Sequence, residues 1–287
     1  MTSIAAAQDL EKQLIQFKLN HYLNVDFDYW QHKITQLHNR FERLKDPKKQ
    51  KRVILELYTS YLQLLEIVFI NAHALSLEIN GFPGALFIKS DDLRKFVEDN
   101  FKKNTKFSTW FLTNYIFAIQ KGDKDYKERY GQYTNIIKEC AKDYIDNYQL
   151  LNAYKHGYRI HAVSGKTSIG LMDKNGQNLI MNEADSTITY YLKEPVRDAR
   201  DPNLVGKQAI YERKFSFKNA RVFGKSIFSV TLLQNARLTI LNVMGSPTKE
   251  KIARFHIDKN KWPESHGEFS FKRALFSLAE KQKKVKK

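Results

Sequence analysis

The chain has 287 residues, of which 42% are hydrophobic and 28% are charged, with 12 Gly and 6 Pro. This composition is typical of a folded globular protein and excludes a disordered chain. A single cysteine, Cys140, excludes an internal disulfide framework and a zinc finger, and we expect it to be a buried, inert thiol. The first residues lack the basic start and apolar run of a secretion signal, which predicts a cytoplasmic protein.

The formal net charge is +17, and most of it lies in the second half of the chain. Residues 161–287 carry 24 Lys and Arg against 12 Asp and Glu, whereas residues 1–160 carry 24 against 19. A positive field of this kind attracts phosphate backbones, because binding releases counterions. We therefore expect RNA or another nucleic acid as a partner, and the alternative is a lysine-rich solubilising surface.

The first half of the chain is predicted to be a helical bundle. Ser3 can cap a first helix through about Asn24, Asp26 or Asp28 can begin a second, and Asp46-Pro47 opens a longer third toward Leu77. The third helix contains the most apolar window, residues 61–79. Polar residues interrupt that window, so it predicts a buried core helix and no membrane span.

The pattern continues after the Asn80–Gly84 cluster, which is expected to break the third helix. Ser90-Asp91-Asp92 is expected to cap another helix, and the aromatic-rich residues 106–121 are dense enough to be mostly core. A last long helix is predicted from about Asp123 to His156, and Gly157 is well placed to end it.

After Gly157 the sequence alternates β-branched and aromatic residues between closely spaced turn signals. Asn175-Gly176 predicts the tight turn of a hairpin, and residues 268–279 suggest a short helix. The predicted strands are residues 167–172, 178–181, 186–192, 209–217, 226–233 and 237–243. The predicted fold class is therefore α+β, with an all-α bundle at residues 1–160 and an antiparallel, β-rich, basic domain with a lysine-rich tail at residues 161–287.

Motifs for nucleotide or metal chemistry are incomplete in this sequence. The runs at Ser164–Thr167 and Gly224–Ser226 lack the first glycine of a phosphate-binding loop. The eight histidines show no metal-ligand spacing, and there is no Gly-x-Ser-x-Gly elbow. We expect neither a metal nor another cofactor.

Polar and basic residues are concentrated at the end of the last predicted helix. Tyr148, Asn152, His156 and Arg159 fall on one line of that helix if its final turn is intact. His156 could then act as acid or base in metal-independent RNA cleavage, Arg159 and Lys155 could hold the phosphate, and Asn152 could orient the ring or a phosphate oxygen. The alternative is an ordinary helix end, where the macrodipole favours a histidine.

A long helix ending in Asn152-x-x-x-His156-Gly157 within a helical domain resembles the HEPN superfamily. That resemblance implies a helical bundle, often dimeric, of the kind found in prokaryotic toxins and antiviral defence proteins, with an Arg preceding the histidine. Leu151 occupies the position of that arginine. The resemblance implies either that Arg159 substitutes from the other side of His156 or that cleavage is lost and a binding role is kept.

Two hypotheses for the function follow, and a third can accompany either. The first is a metal-independent endoribonuclease or RNA-binding protein, and the second is a non-catalytic assembly or sensor subunit that dimerises or binds a protein partner. The third is nucleic-acid binding by cations that lie among aromatic residues of the second half, although alternation along strands more often places aromatics toward a core and cations toward water. Those cations are Arg213, Lys214, Lys218, Arg221 and Lys225.

Overall fold

In a computed structural model of the chain, the residues described are 4–76, 88–103, 106–112, 126–155, 160–172, 178–195, 208–217, 219–246 and 270–275. By the density of internal contacts the chain divides into two compact units, each with segments from both sides of residue 160. The first unit contains Met1–Gln36, Ser60–Asn147 and Phe223–Trp262, and the second contains Leu37–Thr59, Tyr148–Val222 and Pro263–Lys287.

The first two helices lie where the sequence predicted them. Helix α1 spans Ile4–Asn24 and helix α2 spans Asp28–Arg43. Asp26 is the cap of α2, because its Oδ1 accepts the backbone N–H groups of Asp28 at 2.9 Å and Tyr29 at 3.2 Å. A carboxylate at this place satisfies donors that have no partner within the helix, and it also opposes the positive end of the helix dipole.

Helix α3 spans Pro47–Ser76 and provides much of the buried apolar surface. Among the described residues it is the one helix long and apolar enough to cross a membrane, and 67% of that apolar window is buried inside the protein. The prediction of a core helix is confirmed for residues 61–76. Residues 77–84, with the expected helix break, lie outside the described residues.

Two short helices and a π-helical segment follow. Helix α4 spans Ser90–Val97, the π-helical segment spans Glu98–Lys102, and helix α5 spans Lys106–Trp110. The cap position of α4 is Lys89, without a side-chain capping bond, so the expected capping by Ser90-Asp91-Asp92 is wrong and these residues form the first turn instead. Within the described part of the predicted aromatic core, Phe111 is buried and meets Phe101 edge to face at 5.8 Å between ring centroids, whereas Trp110 is exposed.

Helix α6, Tyr126–Lys155, and helix α7, Asn219–Val243, complete the helical core. In the first unit, Tyr133 of α6 stacks on Phe228 of α7 with their ring centroids 5.9 Å apart. The end of α1 packs against α7, and this cluster consists of Tyr22, Ile240 and Leu241 with Leu19, Leu75 and Met244. The Arg237 Nε donates to the Tyr22 carbonyl at 2.6 Å, which fixes the end of α1 to α7.

Four antiparallel strands form one sheet in the second unit, in the order β1-β2-β3-β4. They are β1, Ile160–Met172; β2, Asn178–Pro195; β3, Gln208–Phe217; and β4, Ser270–Leu275. Ile188, Thr189 and Tyr190 are all buried, so β2 is covered on both faces at this point. Phe217 of β3 stacks on Tyr58 of α3 at 4.7 Å between ring centroids.

The predicted fold class, α+β with a β-rich C-terminal domain, is wrong, because the described residues are predominantly helical. The segments 226–233 and 237–243, predicted as strands, are parts of the 25-residue helix α7. Strand β4 lies where a short helix was expected within residues 268–279. A continuous apolar run shows no periodicity, so its pattern cannot distinguish a buried strand from a buried helix. In α7 such a run is helical and buried.

Candidate nucleic-acid interface

The most concentrated positive charge among the described residues lies where α2 ends and α3 begins. Between Arg40 and Arg52 the chain has seven cations against two carboxylates, Glu42 and Asp46, a local excess of five positive charges. Six of the cations are exposed and Lys51 is half-buried. We call this set the basic corner, and its members are Arg40, Arg43, Lys45, Lys48, Lys49, Lys51 and Arg52.

Hydrogen bonds at the helix ends fix the backbone of the basic corner. The Asp46 Oδ1 accepts the backbone N–H of Lys48 at 2.8 Å, which caps α3. The Gln50 side chain donates its Nε2 to the Leu44 carbonyl at 2.7 Å, so the connecting residues are held from both sides. The cations therefore project from a defined turn, although their long side chains remain free to follow a flexible anion.

The opposite side of the same helix explains why the cations face water. Val53, Ile54 and Leu57 are buried, and Tyr58 stacks on the sheet through Phe217. Because 3.6 residues make one turn, burying this face leaves Lys48, Lys49 and Arg52 on the exposed face. The run RLKDPKKQKR is the sequence signal for this site. A charge count over each half of the chain does not reveal it, because residues 1–160 carry 24 Lys and Arg against 19 Asp and Glu.

The residues predicted for RNA cleavage are described only in part. His156 and Arg159 lie outside the described residues, and of Lys155 only the backbone, at the end of α6, is described. Asn152 is half-buried, and Leu151, at the position of the HEPN arginine, is completely buried. No cleavage site can therefore be assembled from the described residues.

The cations predicted to bind nucleic acid in the second half have different surroundings. Arg221 and Lys225 belong to α7 and are only 4% and 1% exposed, so a phosphate does not reach them in this structure. Arg213 is half-buried on β3, and of the neighbouring Lys214 only the backbone, in the same strand, is described. Lys218 lies outside the described residues.

Lys225 is the centre of a buried network in the first unit. Its Nζ lies 2.7 Å from Asp143 Oδ2 and 3.4 Å from Glu139 Oε2, and the Tyr61 hydroxyl donates to Asp143 Oδ2 at 2.7 Å. A cation this deep needs its carboxylates, since removing a lone charge from water costs several kcal/mol. We therefore assign Lys225 a structural role, and Lys225, Asp143, Glu139 and Tyr61 are called the buried network below.

Cys140 lies beside this network and is buried, as predicted. Burial raises the pKa of its thiol to about 12, and the charge of Asp143 acts in the same direction while Lys225 opposes it. A thiol with this pKa is not a nucleophile near neutral pH. Among the described residues, no three His, Cys, Asp or Glu side chains lie close enough together to hold a metal ion.

No family model, curated protein or solved structure matches this chain. The resemblance to the HEPN superfamily therefore stays a prediction from one short motif and its helical context.

Proposed function

We propose that this protein binds the phosphate backbone of nucleic acid through the basic corner, without reading base sequence. The observation that carries the proposal is the excess of five positive charges within residues 40–52, with six of the seven cations exposed. Cations that contact successive phosphates release condensed counterions, and that release provides most of the free energy of non-specific binding. The net charge of +17 adds long-range attraction over the whole molecule.

Binding without cleavage is the form of this proposal that the described residues favour. In the family that the sequence resembles, an arginine precedes the histidine, and here that position holds Leu151, which is fully buried. A buried leucine offers no charge to a phosphate, and Asn152 beside it is neutral. Cleavage by His156 with Arg159 stays a prediction, because neither residue belongs to the described part of the chain.

The proposal is tested by replacing Lys48, Lys49 and Arg52 together with glutamine. Binding of a labelled single-stranded RNA and of the matching DNA is followed by fluorescence anisotropy from about 50 to 200 mM salt. Losing three phosphate contacts should lower the slope of log Kd against log salt by about 2 and weaken binding at least about tenfold at low salt. Running the same mixtures in EDTA on a denaturing gel should show intact RNA.

The matched control removes the same charge from other exposed sites. Lys106, Lys127 and Lys142 are exposed, and replacing all three by glutamine changes the net charge equally. We expect this variant to keep the salt slope of the original protein. Equal losses in the two variants would mean that total charge, and not the basic corner, drives binding, and unchanged binding in the first variant would reject the proposal.

A further inference from the structure

Residues 11–17 of α1 are all exposed, and three of them carry large apolar side chains. Leu14 is 49% exposed, Ile15 is 53% exposed and Phe17 is 52% exposed. The helix enters the core only near its end, where Leu19 and Tyr22 pack against α7. Helices in proteins owe most of their stability to a packed apolar face.

The apolar residues of α1 form two separate lines along the helix. Ile15, Leu19 and Tyr22 follow one another at spacings of four and three, and this line leads into the core of the same chain. Leu14 and Phe17 lie on a different line, and in the sequence Leu10 stands seven residues before Phe17 while His21 stands seven after Leu14. A spacing of three and four that repeats every seven residues is the pattern of a coiled-coil seam.

We propose that this second line pairs with α1 of a second copy of the chain in an antiparallel coiled coil. A two-fold axis between residues 14 and 17 places Leu14 of each copy against Phe17 of the other, so both exposed side chains become buried. The inference is independent of nucleic-acid binding, because it uses no residue of the basic corner.

The charges beside the seam favour this arrangement. With Leu14 opposite Phe17, Glu11 of each copy lies beside Lys18 of the other, which gives two symmetric pairs of opposite charge. On the other flank Gln13 of each copy lies beside Asn20 of the other. Both side chains are uncharged amides, so this flank contains no repulsion between like charges. A parallel pairing would place Lys18 beside Gln13 and leave Glu11 without an oppositely charged neighbour, so the charge pattern selects the antiparallel form.

The seam covers only about two heptads, so the dimer should be weak. Interfaces at the small end of the specific range, below about 1,200 Å² of buried surface, belong to transient complexes. We therefore expect a Kd in the micromolar range and a monomer at nanomolar concentration.

Sedimentation equilibrium of the full chain tests the proposal. Leu14→Asp should abolish the dimer, because it places a carboxylate in each of the two central contacts. Ile15→Asp is the matched control, since Ile15 is equally exposed but lies off the seam, and its dimer should keep the original Kd within about threefold. Circular dichroism verifies that both variants stay folded.

A charge exchange tests the orientation. Glu11→Lys and Lys18→Glu should each raise the dimer Kd by about tenfold, because two attractive pairs become repulsive, and the double variant should restore it. A chain that stays monomeric up to about 100 µM overturns the proposal. If Leu14 were then found to mediate binding to lipid vesicles, the exposed residues would serve a membrane and the dimer would still be rejected. A dimer that Leu14→Asp leaves intact overturns it equally.

Discussion

Lysine has opposite roles in the basic corner and in the buried network. Lys48 and Lys49 are exposed and keep their water, whereas Lys225 is 1% exposed and is held by Asp143 and Glu139. A hydrated cation adds little to stability but remains available to a phosphate, and a buried cation is committed to its carboxylates. A count of Lys and Arg therefore predicts a positive field, while burial decides which of those cations can reach a ligand.

The difference also follows from what surrounds each charge. In the basic corner two carboxylates accompany seven cations, and one of the two, Asp46, is engaged in capping α3. In the buried network two carboxylates and a tyrosine hydroxyl surround one cation. An excess of cations attracts an external anion, whereas Lys225 already has two carboxylates of its own chain as counter-ions.

The largest expected effect is the protection of Cys140. Its pKa of about 12, raised by burial, predicts almost no thiolate near pH 8, so modification requires the protein to open. For a domain of ordinary stability, opening slows the reaction with a thiol reagent by at least about a thousandfold relative to the unfolded chain. The measurement is the rate of reaction with a chromogenic disulfide, with and without denaturant.

The pH dependence of stability provides a second measurement on the same thiol. Because the pKa of Cys140 is raised on folding, its contribution to stability is complete below the ordinary thiol pKa of about 9 and is lost as the pH rises toward 12. Cys140→Ala should therefore flatten the decline of the urea midpoint in that interval. Rapid modification of the native protein at pH 8 would show that the buried network is open to solvent.

The next effect is the loss of the cation in the buried network. Lys225→Ala removes the cation that Asp143 and Glu139 contact and leaves a void in place of a side chain that is only 2% exposed. The two carboxylates are 16% and 36% exposed, so water replaces part of the lost contact, and the free energy of unfolding should fall by about 2 to 3 kcal/mol. Urea unfolding measures this as a lower midpoint. Lys142→Ala, which removes an exposed lysine next to Asp143 in the sequence, should change the free energy of unfolding by less than about 0.5 kcal/mol. Equal effects of the two substitutions would contradict the structural role of Lys225.

The sequence predicted the N-terminal helices well because their ends carry chemical signals. Asp26 and Asp46 cap α2 and α3 in the structure. Pro47 occupies the first turn of α3, where a backbone N–H would have no acceptor within the helix, so the N–H that proline lacks is not missed. Strands β1, β2 and β3 lie in segments predicted as strands, where β-branched residues alternate between turn signals. Local sequence signals were therefore sufficient to predict these helices and strands.

Helix α7 was mistaken for strands because its β-branched residues favour strands locally. In the structure the Ser229 hydroxyl donates to the Lys225 carbonyl at 2.9 Å and the Thr231 hydroxyl donates to the Ile227 carbonyl at 3.0 Å. Both hydroxyl groups therefore find hydrogen-bond acceptors within the helix itself. Packing against α1 and α6 then stabilises a helix that is buried around most of its circumference. Arg221 and Lys225 lie between the strands predicted at residues 209–217 and 226–233, where exposed cations are expected, whereas α7 buries both.

The smallest expected effect separates capping from charge at Asp46. Asp46→Ala removes the acceptor for the Lys48 N–H and should lower the free energy of unfolding by about 1 kcal/mol. It also removes one of the two carboxylates in the basic corner, so binding of single-stranded RNA should become tighter while the protein becomes less stable. Urea unfolding and fluorescence anisotropy measure the two changes on the same sample.

Asp46→Asn distinguishes the two contributions, since asparagine caps a helix about as well as aspartate but carries no charge. The asparagine variant should keep the original stability within about 0.5 kcal/mol and should bind RNA as tightly as the alanine variant. If the asparagine variant bound RNA no more tightly than the original protein, the carboxylate would not be opposing the cations around it. The basic corner would then be a solubilising surface, because an anion held among Lys45, Lys48 and Lys49 must feel the loss of a negative charge between them.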